Sequence, residues 1–386
     1  MAYKVSIGLP RIHAEAGERR DFLPEFVAGL GELGADAVLE HGYGSGMALS
    51  EEAYRRVAPS ARFASHEEVY QQDAVLVLRC PSDDHLRRLR PGACLIAMLH
   101  YPTRPQRVAF LRSLGVEAIS LDGLRDEQGR RLVENLRAVA WNGVEVAFQV
   151  LRTQYPLPGF ESPERRPIQA TLLGAGALGT HVVPAATRYG DQAVWKRMAS
   201  AGIPGVQLTV VDYDVTRVRD AMLEILARTD LLIDATQRPD ASQAVIPNEW
   251  IGPMPQHAVL LDLAADPYNC SSEPRTVKAI EGVPHGNLDQ YVFAPDDPAF
   301  DAIPAWIDTT HRRTSVSCYS WPGIHPRACM QRYGRKILPI FRTLIESGGV
   351  RHIDPRGDDC HRAIASAMLS RWRHPPDGDV VAKLSS

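Results

Sequence analysis

Six residues, Gly174-Ala175-Gly176-Ala177-Leu178-Gly179, stand between an apolar run that reads as a strand, Gln169 to Leu173, and a segment with helical spacing that continues to about Tyr189. In that setting each glycine has its own task. The first permits a tight turn, the second lets backbone approach a pyrophosphate, and the third lets helix and strand pack closely. The helix start adds unpaired N–H groups and the positive end of a dipole. Gly174, Gly176 and Gly179, with Ala177 and Leu178 between them, are therefore candidates to hold a dinucleotide. The spacing alone is a weak signal and gains its force from the strand before it and the helix after it; a glycine turn without a ligand is the alternative.

A second strand, Leu208 to Asp212, ends in an acid. A carboxylate there bonds the adenosine ribose hydroxyls and favours NAD, with NADP as the alternative. Asp212 lies farther from the glycines than the usual roughly 20 residues, so Asp191 to Gly205, itself helical in pattern, reads as an insertion. Asp214 is a substitute candidate, and a plain surface role for Asp212 stays open. Thr236 and Gln237 follow the strand Leu231–Asp234 and are candidates to line the nicotinamide pocket.

A further apolar strand, Cys94 to Leu99, ends at His100. Ligands of α/β sheets collect at the carboxyl ends of the strands. An imidazole, with an unperturbed pKa near 6.5, suits proton exchange with an amine or carbonyl at neutral pH. A hydrogen-bonded structural histidine is the plain alternative.

The elements that must position these groups alternate. Val5–Leu9, Ala37–Leu39, Asp73–Leu78 and Cys94–Leu99 read as strands, and Leu23–Leu33 as a helix. Short apolar runs bounded by Pro and Gly suit parallel strands buried on both faces. A long helix is expected from Arg131 to Gln154, weakened at Gly143, followed by a Pro-containing linker through Pro167. Val259–Asp262 is another strand candidate, Asp297 to Arg313 is irregular, and a last helix runs from about Arg327 to Ser347, stopped by Gly348-Gly349.

The chain has 386 residues, enough for two domains, and a formal net charge of -3, which argues against general nucleic-acid binding. No apolar run approaches the roughly 20 residues needed to span a bilayer, and the N-terminus lacks a signal peptide's apolar stretch. These features predict a cytoplasmic protein with no membrane partner. The six cysteines form no C-x-x-C pair, so neither a metal site nor a structural disulfide is expected.

In order along the chain, several segments resemble the alanine dehydrogenase and transhydrogenase α-subunit family, including its lysine-forming saccharopine dehydrogenase branch. They are Glu18-Arg19-Arg20-Asp21-Phe22-Leu23-Pro24, Glu40-His41-Gly42-Tyr43-Gly44-Ser45-Gly46, Val75 to Pro81, Leu95 to His100, the Gly174 turn, and Trp321-Pro322-Gly323-Ile324-His325-Pro326-Arg327. The resemblance implies two Rossmann-like α/β domains, with the nucleotide-binding domain inserted into a split substrate domain: 1–145, 146–310 and a return at 311–386. It implies a homo-oligomer acting on a small amino acid or keto acid. Arg19 then corresponds to the arginine that binds the substrate carboxylate, and His100 to the catalytic histidine. Asp266 corresponds to an aspartate near the nicotinamide, with a loop-capping role as its alternative. Arg327 is a candidate to orient the substrate or to pack its loop. Arg79 departs from the family, which has lysine there. Arginine stays protonated, so Arg79 can anchor or polarise but cannot act as a base. Either proton work falls more heavily on His100, or the substrate carries an additional anion. The segments Asp122-Gly123-Leu124 and Gly129 to Val133 read more like the saccharopine branch.

The expected activity is NAD(P)-dependent oxidation or reduction at the CH–NH2 or CH–NH group of an amino acid. Reductive coupling of an amine with a 2-keto acid is the close variant. A dinucleotide sensor without turnover, or a hydride-transfer subunit of a membrane transhydrogenase, are the readings from other classes.

Overall fold

The computed structural model describes residues 5–11, 16–238, 240–269 and 274–373. The chain divides into two compact units, one made of Met1–Asn135 with His325–Ser386 and the other of Leu136–Ile324.

The first unit contains β1 (Ser6–Leu9), β2 (Asp36–Glu40), β3 (Arg62–Ala64), β4 (Ala74–Arg79), β5 (Cys94–Met98) and β6 (Glu117–Ser120). They form one parallel sheet in the order β3-β2-β1-β4-β5-β6. This is a doubly wound order. The chain moves outward from β1 in one direction and returns to its other side at β4, leaving a crevice at the strands' carboxyl ends. The central strands are almost wholly apolar because both faces are covered. One covering helix is Pro326–Glu346, whose Met330, Ile337 and Phe341 join Phe26 and Leu30 of the helix Pro24–Glu32 in the core.

The second unit contains β7 (Ile168–Leu173), β8 (Val206–Val211), β9 (Leu231–Asp234), β10 (Val259–Asp262), β11 (Val292–Phe293) and β12 (Thr314–Ser317). Their order is β11-β12-β10-β9-β7-β8, with only β11 antiparallel. The helix Leu136–Gln154 buries Ala140, Val144, Ala147 and Leu151 in this unit's core. Gly143 is one point where that helix packs closely on its neighbours. A Cβ there would lie 2.3 Å from Leu263 Cδ2 and 3.2 Å from the Trp321 ring. The glycine read from sequence as a weak point is thus a point of close packing.

Residues 136–145 and 311–324, grouped by sequence with the substrate domain, fall within the second unit. The whole long helix packs as one body, and β12 is a strand of the second sheet, parallel to β10. β12 was not evident from sequence because Thr314, Ser315 and Ser317 look like loop. All three are buried, and their hydroxyls bond Gln154 Oε1, the Arg313 carbonyl and Asp262 Oδ2 respectively. Among the described residues no helix is long and apolar enough to cross a membrane.

Candidate active site

In the first unit, β4 ends at Arg79 and β5 at Met98, paired in register, and His100 follows two residues later. The sheet therefore brings Arg79 and His100 to the same carboxyl-end edge, as expected. His100 has φ 52° and ψ 49°, left-handed for a residue with a Cβ. Asp122, just beyond β6, holds that bend. Its Oδ1 accepts the amides of Leu99 (2.9 Å) and His100 (3.1 Å) and the hydroxyl of Ser120 (2.8 Å). Its Oδ2 lies 3.2 Å from His100 Nδ1.

The His100 side chain is 51% exposed and that of Asp122 10%. Burial works against the charge on Asp122, but the hydrogen bond and charge of His100, with the Ser120 hydroxyl and the His100 amide, hold its carboxyl well below the usual range. Asp122 is thus ionised and accepts Nδ1–H, which leaves Nε2 as the working nitrogen. Sequence reasoning noticed Asp122 only as a family marker. The signal that could have found it is an acid just past the strand neighbouring β5, visible once β6 is recognised.

The N-terminal arginines divide their roles. Arg20 is buried, and its guanidinium pairs with Glu18, the two side chains being 2% and 1% exposed. Arg19, the residue predicted to bind carboxylate, is exposed; its amide donates to Glu18 Oε1 at 3.0 Å. Burial opposes the charge on Glu18, yet the bonds and charge of Arg20, with Arg79 contributing, keep its carboxyl below the usual range. The two family-like loops are knit together here: Gly44 N donates to Asp21 Oδ2, and Phe22 N to the Tyr43 hydroxyl. Arg327 completes this arrangement. Its Nε and Nη2 donate to the Met47 carbonyl at 3.0 and 2.6 Å, and Nη2 also reaches that of Ala48. Of its two candidate roles, loop packing is the one its donors serve.

In the second unit, Gly174 is left-handed (φ 89°), and a Cβ there would meet the Ala235 carbonyl at 3.1 Å and Thr236 Cα at 3.2 Å. The turn therefore abuts the exit of β9, beside Thr236; Gln237 follows, exposed. At Gly179 a Cβ would lie 2.3 Å from the Gly174 carbonyl, whereas at Gly176 it would meet nothing within 4 Å. Gly174 and Gly179 are thus required by the fold, and Gly176 is not. Ala175, Gly176 and Ala177 are exposed at the start of the helix Gly179–Ala186, and no protein acceptor takes the amides of Gly176, Ala177 or Leu178 among the described residues.

Asp212 follows β8. One oxygen accepts the Tyr213 amide (2.8 Å) and the other lies 3.3 Å from the Ala175 amide. The acid therefore stands over the glycine turn, despite the helix Gln192–Ser200 inserted before β8. An open glycine, outward amides and an adjacent carboxylate fit a dinucleotide's pyrophosphate and ribose.

Asp266 is 40% exposed and bonded to Arg238 Nη2 at 2.7 Å; the Arg238 side chain is only 6% exposed. Arg238 also donates to the carbonyls of Gln243 and Val277. Nearby, Asp262 pairs with buried Lys278 and accepts from Ser317, while Asp234, opposite it in register, accepts the Thr236 amide and hydroxyl. Burial and then the Asp262 charge push the Asp234 carboxyl up to about 7, against the Thr236 bonds. None of Arg238, Asp234, Asp262 or Lys278 was singled out from sequence as a site residue.

Comparison with known proteins places this geometry. Residues 9–140 match the model of the alanine dehydrogenase/PNT N-terminal domain. The NAD(P) transhydrogenase subunit alpha of Haemophilus influenzae is 20% identical over 190 residues, 48% of this chain but only 36% of that subunit. The alanine dehydrogenase of Bacillus subtilis is 24% identical over 273 residues, 67% of this chain and 70% of that enzyme. A solved L-alanine dehydrogenase, 18% identical, superposes with a TM-score of 0.72 over 98% of this chain and all of the other. The chain is thus similar to the alanine dehydrogenase and transhydrogenase α-subunit family through residues 9–140 and through its fold.

Proposed function

We propose that this chain is an NAD(P)-dependent oxidoreductase of amino acids, interconverting a 2-amino acid and its 2-oxo acid. The balanced reaction is amino acid + NAD+ + H2O → 2-oxo acid + NH4+ + NADH + H+. The observation that carries this reading is the His100–Asp122 pair beside Arg79 at a sheet's carboxyl edge, within the segment that matches the family model.

Each residue has a role that its surroundings support. Asp122 orients the imidazole by accepting Nδ1–H. Nε2 of His100 takes the proton from the substrate ammonium and passes it to solvent as the H+ of the balance; it then takes a proton from the water that adds to the imino acid and gives it to the departing ammonia. Arg79 keeps its charge and anchors an anionic or carbonyl oxygen. Arg19 is the second carboxylate-binding candidate, and Arg327 holds the Met47–Ala48 loop behind it.

The dinucleotide, when bound, supplies the hydride acceptor or donor. Gly174, Gly176, Ala177, Leu178 and Gly179 present backbone to its phosphates, and Asp212 to its ribose. Thr236 and Gln237 flank the turn. Asp266, tied to Arg238, serves as a fixed charge rather than a free base. A carboxylate at Asp212 favours NAD over a 2′-phosphorylated cofactor.

The test combines purified protein, NADH or NADPH, ammonia or amino acids, and a panel of 2-oxo acids, following loss of the reduced cofactor's absorbance. Steady oxidation is expected, with NADH preferred. Asp212→Ala should weaken NADH much more than NADPH. Tight cofactor binding without turnover across the panel would replace this reading with a sensor.

A further inference from the structure

At the end of the first sheet opposite Arg79 and His100 lies a cavity of about 720 Å³. It sits between the amino ends of β1, β4 and β5 and the close of the helix Pro326–Glu346, all within the first unit. Small-molecule sites occupy roughly 300–1,000 Å³ and combine apolar walls with a few polar groups. Here Val5, Ile7, Cys94 and Ile96 supply one wall, and Phe341 and Leu344 the other. The helix stop forms the rim. Gly348 and Gly349, at φ 77° and 111°, return their amides to the Ile345 and Leu344 carbonyls at 2.9 and 2.8 Å.

Arg351 follows on that rim. Its guanidinium lies over Gly92, where a Cβ would stand 2.6 Å from Nη2, and it also borders a second cavity of about 350 Å³. Gly92 is itself left-handed (φ 80°), so conformation and space both keep a side chain away from this cation.

The other polar groups of these walls have partners. Asp73 Oδ2 accepts the Ser6 amide and hydroxyl at 2.9 and 2.8 Å, and Oδ1 pairs with Arg90. Glu117, in the smaller cavity, accepts the Ala118 and Ser370 amides at 2.9 and 3.1 Å through one oxygen. His352 Nδ1 donates to the Gly348 carbonyl at 3.2 Å. Arg351 differs: among the described residues no carboxylate pairs with it and no acceptor takes its guanidinium. A guanidinium at the mouth of apolar walls is complementary to a carboxylate carried on a hydrocarbon body. Covering such walls is favourable in proportion to the apolar area removed from water.

We propose that this cavity binds a monocarboxylic acid with an apolar chain, its carboxylate on Arg351 and its chain against Ile7, Ile96 and Phe341. The site stands apart from the oxidoreductase chemistry, because neither Arg79 nor His100 lines it.

Calorimetric titration of the full chain with hexanoate, octanoate and octan-1-ol is the test. Two more buried CH2 groups should make octanoate bind about five- to fifteenfold tighter than hexanoate. Its charge should give it an advantage of about fivefold or more over octan-1-ol. Arg351→Gln should erase that second advantage; the Arg351 side chain is exposed, so the core is left intact. In spectra labelled at the isoleucine δ1 methyls, octanoate should move Ile7, Ile96 and Ile345 and leave Ile233 of the second unit in place. No binding of octanoate, an affinity unchanged by Arg351→Gln, or shifts confined to other methyls overturns the proposal.

Discussion

Asp122 bonds His100 twice, through the backbone amide at 3.1 Å with one oxygen and through Nδ1 at 3.2 Å with the other. One carboxylate thus sets both the bend of the chain and the tautomer of the ring. Asp122→Asn keeps an oxygen for the amides but points an NH2 at Nδ1, favouring the tautomer whose Nε2 carries the proton. We expect kcat to fall by roughly 10²–10⁴-fold, within the range seen when a histidine's orienting acid is lost. Asp122 is a positioning residue, so the 15N chemical shifts of the His100 ring should report the change of tautomer, which a merely structural role would not produce. A variant with kcat within threefold and unmoved 15N shifts would refute it.

The three glycines of the turn should separate by what surrounds them. Gly179→Ala forces a methyl to within 2.3 Å of the Gly174 carbonyl and should cost about 1–3 kcal/mol of stability. Gly176→Ala meets nothing in the protein. It should leave the melting temperature almost unchanged while weakening NADH binding tenfold or more, because the added methyl enters the space the pyrophosphate needs. Melting curves with and without NADH, together with cofactor titrations, check both; unchanged affinity in Gly176→Ala would remove this turn from the cofactor site.

The buried pair Asp234 and Asp262 predicts a dependence of stability on pH. A folded-state pKa near 7, against an unfolded value near 3.8, means the native state binds the extra proton between those values. Stability from this group is therefore fully present at low pH and lost as pH rises toward and through 7. Asp234→Asn removes that slope and keeps an acceptor for Thr236. Relative to the parent, it should gain on the order of 1–3 kcal/mol between pH 5 and pH 8, read from denaturant melts at both values. A difference that does not change with pH would show that Asp234 is ionised throughout.

Much of the architecture was legible because buried parallel strands are short, apolar and bounded. The strands ending at Arg79, at Met98 just before His100, and at Asp234 follow from this, and so does the glycine turn. β3 and β6 were missed because their polar ends, Arg62 in β3 and Glu117 and Ser120 in β6, leave too short an apolar run to stand out. β12 was missed because its hydroxyls are satisfied by partners distant in sequence. At the site, residue type was easier to read than pairing. Nothing local distinguishes Arg19 from Arg20; burial beside Glu18 separates them. Asp266 carries no mark that Arg238 will claim it, and Asp122 becomes visible only when two strands are laid side by side.

The left-handed backbone at His100 sets a compromise at that position. Such a conformation costs a residue with a Cβ roughly 1–2 kcal/mol, and glycine would adopt it freely. Position 100 is therefore held against the chain's own preference by the carboxylate beneath it. Replacing His100 with glycine would relieve that cost and remove the imidazole in the same step.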